Sequence, residues 1–182
     1  MDRLLALAAT IALLAAFACG GNSHSSNPTA VPATASGTDN ASSKPPALVV
    51  SAGATSMNAA LGSYCWNQPD RARCPSAVSV ITPRTPFVAN GASSIQGELP
   101  GSKISSVQVE ASPITGSNGA VVGEDAIEWA FSEVSYELFA TVTDGKIAID
   151  VSGLQPGQYI IAVSLEVAGR GDATYGFLLS NG

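Results

Sequence analysis

Three cysteines are the residues of this chain with the most distinctive chemistry, and they stand at positions 19, 65 and 74. Cys65 and Cys74 enclose a short polar segment, and such a pair in an exported protein is expected to form a disulfide. Closing that loop should stabilise the folded state by roughly 2.7 kcal/mol on the chain-entropy model. A redox or soft-metal pair is the alternative, but the spacing is not Cys-x-x-Cys. We therefore expect a structural disulfide and no metal site.

The segment between these cysteines is a candidate binding loop, because it is polar and pinned at both ends. Ordering such a loop on binding costs less entropy, and adjacent aromatic side chains supply contact area. The residues expected to take part are Tyr64, Trp66, Arg71 and Arg73. The alternative is that the two aromatic rings pack against the disulfide as core. Because we take the two rings to face opposite sides of the strand, we expect one of them to lie in the core.

Catalytic chemistry finds little support in the sequence. The chain has one histidine, His24, in a Ser- and Asn-rich stretch, so a serine–histidine or cysteine–histidine mechanism would depend on that residue alone. The Gly-x-Ser-x-Gly, His-Glu-x-x-His and dinucleotide-binding patterns are absent from the sequence. We expect no catalytic residue, no cofactor and no enzymatic activity.

Clustered carboxylates form a third candidate, with no basic residue among them. They are Glu124, Asp125, Glu128, Glu133 and Glu137. Oxygen ligands of this kind could hold Ca²⁺, but the spacing is not that of an EF-hand. A solvated acidic edge that discourages sheet-to-sheet association is the preferred interpretation. A calcium-dependent carbohydrate binder, or an enzyme using paired carboxylates, is the least favoured function.

Composition narrows the function classes further. The 182 residues include 8 basic and 14 acidic ones, for a net charge of −6, and only 12% are charged. This is the opposite of a basic nucleic-acid footprint, so we expect no nucleic-acid partner.

The N-terminal segment has the pattern of an export signal. Residues 4–18 are apolar except for Thr10, a run that is too short for a span of about 20 residues and matches a signal-peptide core. The run ends in Ala-Phe-Ala-Cys-Gly at positions 16–20, which resembles the lipobox of bacterial lipoproteins. The resemblance implies a signal peptide over residues 1–18 and a lipid on Cys19. An ordinary secretory signal is the alternative.

Residues 19–46 have the composition of a flexible tether that begins at the lipidated cysteine. This stretch is rich in Ser, Thr, Asn, Ala and Pro and contains one large apolar residue, Val31. It cannot bury enough surface to offset the entropy of ordering, so we expect it to be disordered.

Residues 47–182 show an apolar period of two, which predicts β-strands. The clearest run places Tyr159, Ile161, Val163, Leu165 and Val167 on one face. Asp144-Gly145 and Pro100-Gly101 are expected to be hairpin turns. Arg170-Gly171-Asp172 matches an adhesion tripeptide, although ordinary turn chemistry explains it better.

The segment Leu154–Tyr159 resembles the corner of immunoglobulin-like and fibronectin-type sandwiches. In those domains a tyrosine hydroxyl bonds back to the backbone, and the resemblance assigns that role to Tyr159. We expect an all-β fold, a single immunoglobulin-like antiparallel β-sandwich of seven to nine strands in two sheets. A closed barrel is the second choice.

Two further segments resemble a group of uncharacterised secreted bacterial proteins and lipoproteins. They are Gly62–Trp66, which reads Gly-Ser-Tyr-Cys-Trp, and Gly171–Phe177, which reads Gly-Asp-Ala-Thr-Tyr-Gly-Phe. This resemblance supports the fold and an exported location only.

Together these patterns predict a lipid-anchored cell-envelope protein that displays a non-catalytic binding or structural module. It would lie on the extracytoplasmic side of the cell membrane or outer membrane, attached through lipid at Cys19, with an envelope protein or glycan as partner. The alternative is an envelope-targeted inhibitor or accessory subunit that binds a protein through the Cys65–Cys74 loop. The small sandwich of bacterial proteinase inhibitors offers only an analogy of fold for that alternative.

Overall fold

The computed structural model describes residues 44–67, 74, 79–114, 119–130 and 134–182, all within one compact unit, Thr38–Gly182. Cys19, the predicted signal peptide and most of the predicted tether lie outside the described residues. The described part forms fourteen β-strands and no helix, which confirms the all-β prediction. Within that part, accordingly, no helix is long and apolar enough to cross a membrane.

The strands belong to three sheets. The strands are β1 (Val49–Ala52), β2 (Thr55–Asn58), β3 (Ala60–Trp66), β4 (Ser79–Pro83), β5 (Phe87–Val88), β6 (Ser94–Glu98), β7 (Ile104–Pro113), β8 (Gly119–Val122), β9 (Ala126–Ala130), β10 (Tyr136–Leu138), β11 (Ala140–Thr143), β12 (Lys146–Asp150), β13 (Gly157–Val167) and β14 (Gly171–Asn181). The five-stranded sheet has the order β11-β12-β6-β1-β2. The six-stranded sheet has the order β10-β7-β13-β14-β3, with β5 beside β14, and the three-stranded sheet has the order β4-β9-β8. All neighbours are antiparallel except β5 and β14.

The main core lies between the five-stranded and six-stranded sheets, which pack as a β-sandwich. The predicted inward face of β13, from Tyr159 to Val167 at alternate positions, is buried, as the period of two requires. Ile147 and Ile149 of β12 face it from the five-stranded sheet and are fully buried. Phe87 and Phe177 meet edge to face within this core, with ring centroids 6.0 Å apart.

A third layer was not predicted from the sequence. The three-stranded sheet covers one end of the outer face of the six-stranded sheet, where Val80 and Trp129 pack on Ile160, Ala162 and Leu178. The prediction of seven to nine strands in two sheets is therefore wrong, whereas the all-β sandwich itself is confirmed. The prediction failed because the outward-facing positions of β13 are apolar at Ile160 and Ala162 and polar at Ser164 and Glu166. The sequence does not indicate which segment covers the apolar pair.

Gly176 permits the close approach of this third layer. A Cβ added to Gly176 would lie 2.2 Å from the carbonyl oxygen of Ile81 and 2.5 Å from Cγ1 of Val80. Only a residue without a side chain fits there, so β14 brings β4 directly onto the sheet.

The alternating apolar residues Tyr136, Leu138, Ala140 and Val142 are divided between two sheets. β10 pairs with β7 in the six-stranded sheet, whereas β11 pairs with β12 in the five-stranded sheet. Phe139 is the switch residue: its carbonyl accepts a 2.9 Å hydrogen bond from the amide of Asp150, and its side chain is 71% exposed.

The two predicted hairpin turns have different outcomes. Asp144 and Gly145 join β11 to β12 with φ of 52° and 76°, as a two-residue hairpin turn requires. Pro100 and Gly101 instead join β6 to β7, which lie in different sheets. That second prediction is wrong, because a turn sequence fixes the local bend and not the pairing of the strands.

Two tyrosine hydroxyls bond to the backbone near the ends of the sandwich. The Tyr159 hydroxyl donates to the carbonyl oxygen of Gln155 at 2.9 Å. The Tyr175 hydroxyl donates to the carbonyl oxygen of Pro46 at 2.7 Å and so holds the start of the domain. The first bond is of the kind expected at the sandwich corner, and the immunoglobulin-like type of the sandwich stays a prediction.

Candidate functional site

The uncovered end of the outer face of the six-stranded sheet is the principal candidate site. We call this surface the open face, and it forms a depression of about 690 Å³. Its lining residues are Ser106, Val107, Gln108, Glu137, Ser164, Leu165, Glu166, Asp172, Ala173 and Thr174. The polar members alternate along β7, β13 and β14 with residues that face the core, so they point outward together.

The antiparallel register arranges the open face in rows across the strands. One row joins Ser106, Glu166 and Asp172, and the next joins Gln108, Ser164 and Thr174. Two weak side-chain hydrogen bonds lie along these rows, and a third runs along β7. Ser106 Oγ donates to Glu166 Oε2 at 3.4 Å, Gln108 Nε2 donates to Glu110 Oε1 at 3.3 Å, and the Ser164 and Thr174 hydroxyls are 3.4 Å apart.

Four carboxylates stand at or beside the open face as two directly opposed pairs. Glu166 of β13 is opposite Asp172 of β14, and Glu137 of β10 is opposite Glu110 of β7. Like charges at directly opposed positions destabilise an antiparallel pair. The described residues that line the depression include acidic side chains but no basic ones. The described part of the open face therefore brings carboxylates close together.

An apolar rim borders the open face along β10. A second depression of about 340 Å³ adjoins the first, and both are lined by Val107, Gln108 and Glu137. Phe139 lines this second depression and is 71% exposed. Large aromatic side chains at this exposure offer contact area to a partner.

The disulfide lies at the opposite border of the open face. Cys65 and Cys74 are bonded, with their Cα atoms 5.3 Å apart, as the sequence predicts. Cys65 is directly opposite Asp172 in the register of β3 and β14. The segment that the disulfide closes thus begins beside the carboxylates.

The predicted binding loop stays a prediction, and the two aromatic residues assigned to it pack inward. Trp66 is 4% exposed in the main core, and Tyr64 is half-buried and packs against the same core. The expectation that these two rings face opposite ways is wrong, because residues two positions apart on a strand share a face. Cys65, between them, takes the outer face. Arg71 and Arg73 lie outside the described residues.

The four described carboxylates of the acidic segment do not assemble into one cluster. Glu124 and Asp125 are exposed in the turn between β8 and β9, and Glu128 accepts a hydrogen bond from the Ser79 hydroxyl in the three-stranded sheet. Glu137 belongs to the open face instead. Among the described residues no group of three or more His, Cys, Asp or Glu could hold a metal ion. Glu133 lies outside the described part.

Sequence reasoning did not single out most of the open face. The alternation in the sequence indicates that Ser164 and Glu166 lie on the outer side of β13. It does not indicate that Ile160 and Ala162, on the same side of that strand, are covered by another sheet. Asp172 was noted only within the tripeptide Arg170–Asp172 and the segment Gly171–Phe177. In the structure Arg170 belongs to the turn, whereas Gly171 and Asp172 pair within β14.

Comparisons with known proteins identify no relative of this chain. No protein-family model matches the chain, and no curated protein or solved structure matches it either.

Proposed function

We propose that this chain is a lipid-anchored protein of the bacterial cell envelope that displays a non-catalytic binding module, with the open face as its binding surface. The observation that carries the proposal is that only part of the outer face of the six-stranded sheet is covered by another sheet. The protein covers the apolar half with its own three-stranded sheet and leaves the polar half open to solvent.

The chemistry of the open face suits recognition by hydrogen bonds and charge. It combines hydroxyl, amide and carboxylate groups carried on strands rather than on loops, most of them on the long strands β7, β13 and β14 and Glu137 on the short edge strand β10. Groups held on paired strands are already ordered, so binding a partner costs little additional conformational entropy. This supports a binding role that needs no catalytic group.

The anchor is proposed from the lipobox-like signal that ends at Cys19. Two acyl chains on that cysteine would give stable attachment, since each buried methylene contributes about 0.8 kcal/mol. The bond from the Tyr175 hydroxyl to Pro46 would hold the point where the proposed tether enters the domain. The module would then stand on the extracytoplasmic side of the cell membrane or outer membrane.

The immunoglobulin-like type of the sandwich belongs to the same proposal. Its support is the bond from the Tyr159 hydroxyl to Gln155, four residues upstream, in the segment that resembles an immunoglobulin-like corner.

The anchor is tested by the intact mass of the protein extracted from bacterial membranes. We expect a species that begins at Cys19 and carries added acyl mass, with two further thiols appearing only after reduction. The Cys19→Ala variant should lose the acyl mass and leave the membrane fraction. An unlipidated mass for the unmodified protein would contradict the anchor.

The binding surface is tested by photo-cross-linking in living bacteria. A photoreactive amino acid at Ser164, on the open face, should yield a defined cross-linked species. The matched position is Thr141, which is exposed on the five-stranded sheet. A third probe at Arg71 tests the alternative of binding through the Cys65–Cys74 loop. Equal yields at Ser164 and Thr141 would rule out the open face as the binding surface.

A further inference from the structure

We propose that the disulfide between Cys65 and Cys74 is a redox-sensitive switch that controls how firmly the three-stranded sheet is held on the six-stranded sheet. Reduction releases the three-stranded sheet while both large sheets stay folded. The surface uncovered in this way consists of Ile160, Ala162 and Leu178, which we call the apolar strip. The inference goes beyond the proposed binding function and does not depend on it.

The place of the disulfide in the chain is the first argument. Cys65 belongs to β3 in the six-stranded sheet, and Cys74 stands five positions before Ser79, where β4 of the three-stranded sheet begins. Without the bond, the connection from Trp66 at the end of β3 to Ser79 is thirteen positions long. Because closing a longer loop costs more entropy, the reduced chain holds β4 in place less firmly.

The strand that the disulfide fastens is the one through which the three-stranded sheet approaches the rest of the domain. β4 lies close to β3, β13 and β14, and β9 and β8 follow it in the order of the sheet. The backbone carbonyl of Ile81 in β4 comes so near to Gly176 of β14 that a Cβ does not fit between them. The disulfide therefore acts on the strand that positions the whole three-stranded sheet.

The contacts beneath the three-stranded sheet are the second argument, because they are apolar. Val80 and Trp129 pack on the apolar strip. Among the described residues, the side-chain hydrogen bonds of this sheet stay within it, since the Trp129 indole donates to Thr82 and the Ser79 hydroxyl donates to Glu128. Lifting the sheet as a unit breaks apolar contacts and leaves these hydrogen bonds intact. A region held by so few buried contacts opens at low free energy.

The redox step has an accessible point of attack. Cys65 is 4% exposed, whereas Cys74 is only partly buried. The thiolate of a dithiol reductant attacks the sulfur of Cys74, which forms a mixed disulfide and releases Cys65 as a thiolate that takes up a proton. The second thiol of the reductant then displaces Cys74. In total two electrons and two protons pass to the two cysteines, and the reductant becomes a cyclic disulfide.

The test measures alkylation of an engineered cysteine on β13 in the full-length protein, held in detergent micelles. Ile160→Cys places the cysteine under the three-stranded sheet, and Ile161→Cys places it in the main core as the matched control. Each variant is made with the disulfide intact and with Cys65→Ser/Cys74→Ser. Mass spectrometry of peptides locates the label, and circular dichroism establishes that the variants fold.

We expect loss of the disulfide to raise the alkylation rate of Ile160→Cys at least about fourfold, the ratio expected from the two loop lengths alone. Ile161→Cys in the same background should react at least tenfold more slowly than Ile160→Cys. Ile149→Ala, which removes a main-core side chain far along the chain from the disulfide, lowers global stability. With the disulfide intact, that change should leave the rate of Ile160→Cys within twofold.

A second measurement needs no engineered cysteine. Reduction of the unmodified protein with dithiothreitol should speed hydrogen exchange in β4 and β9 at least about fourfold, while the amides of β13 remain the slower ones.

Two outcomes would overturn the inference. One is an alkylation rate of Ile160→Cys that does not change when the disulfide is removed. The other is equal rates for Ile160→Cys and Ile161→Cys without the disulfide, because the fold would then open as one unit. Neither reading involves a partner, so the result is independent of the cross-linking at Ser164 that tests the proposed function.

Discussion

Gly171 lies where the backbones of β14 and β3 approach each other closely. A Cβ at this position would lie 1.9 Å from the carbonyl oxygen of Cys65, and its φ of +122° is in a region that other residues rarely adopt. The glycine therefore lets β14 pass β3 at the point where the disulfide begins.

We predict that Gly171→Ala destabilises the fold by more than about 3 kcal/mol, because it combines a backbone collision with an unfavourable φ. The measurement is urea unfolding followed by circular dichroism. Gly153→Ala is the control, since nothing lies within 4 Å of its added Cβ, and it should change stability by less than about 0.5 kcal/mol. A small effect at Gly171 would contradict the described contact.

Tyr175 is a second residue whose chemistry depends on its position. Its side chain is fully buried, and burial raises the pKa of its hydroxyl. Because the folded state disfavours the deprotonated hydroxyl, Tyr175 contributes its full stabilisation at pH values below the pKa of a tyrosine in the unfolded chain, which is about 10. That stability is lost as the pH rises above this value.

We predict that Tyr175→Phe lowers the free energy of unfolding by about 1 kcal/mol, through loss of the bond to Pro46. The variant should also lose less stability than the unmodified protein between pH 9 and 11. Thermal unfolding across this pH range provides both readings. Tyr136→Phe removes a hydroxyl from a half-exposed ring and serves as the control. An unchanged alkaline loss in Tyr175→Phe would contradict the assignment.

At the scale of the elements, the three-stranded sheet depends on Gly176 for its position on β14. We predict that Gly176→Ala displaces β4 at a cost of at least about 2 kcal/mol, since a Cβ there meets the backbone of Ile81 as well as Cγ1 of Val80. The reporter is the indole N–H of Trp129, which donates to the Thr82 hydroxyl at 2.9 Å. Its NMR resonance should shift or broaden.

The matched control is Thr174→Ala, two positions along the same strand and on the same face. Thr174 lies on the uncovered half, so this change should leave the Trp129 resonance in place. A shift of similar size in both variants would mean that the contact of β4 with β14 is not the cause.

The disulfide joins the end of β3 to Cys74. We predict that Cys65→Ser/Cys74→Ser lowers the free energy of unfolding by roughly 2–3 kcal/mol, as expected for a loop of this length. Urea unfolding with and without reductant is the measurement. Reductant should destabilise the unmodified protein to the level of the variant and leave the variant unchanged. Sensitivity of the variant to reductant would contradict the bond as the source of stability.

At the scale of the whole molecule, stability is divided unequally between the two cores. The main core draws buried side chains from both large sheets, whereas Val80, Trp129, Ile160, Ala162 and Leu178 are the buried residues of the small one. Regions with few buried contacts open locally at lower free energy than the rest of a fold.

We therefore predict that amide hydrogens of β8 and β9 exchange faster than those of β13 by at least tenfold, without global unfolding. Hydrogen exchange followed by mass spectrometry resolves these segments. Raising the urea concentration should bring the two rates together as global unfolding becomes the common route. Equal protection in water would mean that the three sheets open as one unit.

Local patterns account for the part of the fold that could be predicted. The alternation from Tyr159 to Val167, the turn at Asp144 and Gly145 and the pairing of Cys65 with Cys74 each depend on a few neighbouring residues or on a short loop. The errors have the opposite cause, because they concern features that neighbouring residues do not determine. Phe139 and Pro100 stand where consecutive strands enter different sheets, and that choice is made by partners far away in the chain.

The candidate site was less predictable than the fold. Glu166 and Asp172 could be recognised as opposed residues only by knowing the register of the last hairpin. Glu110 and Glu137 pair across 27 positions of sequence, and Ser106 and Glu166 across 60. No local signal reports a register between such distant segments, because many pairings satisfy the same alternation.

By itself, then, the amino-acid sequence determined the strand character of the domain, its inward faces and its disulfide, because side-chain alternation and short loop closure are local effects. The tertiary structure alone decided that Trp66 points inward, that a third sheet covers Ile160 and Leu178, and that four carboxylates share an exposed face. Those features arise from how separate strands align and which surfaces compete for burial, and both depend on the whole chain folding together.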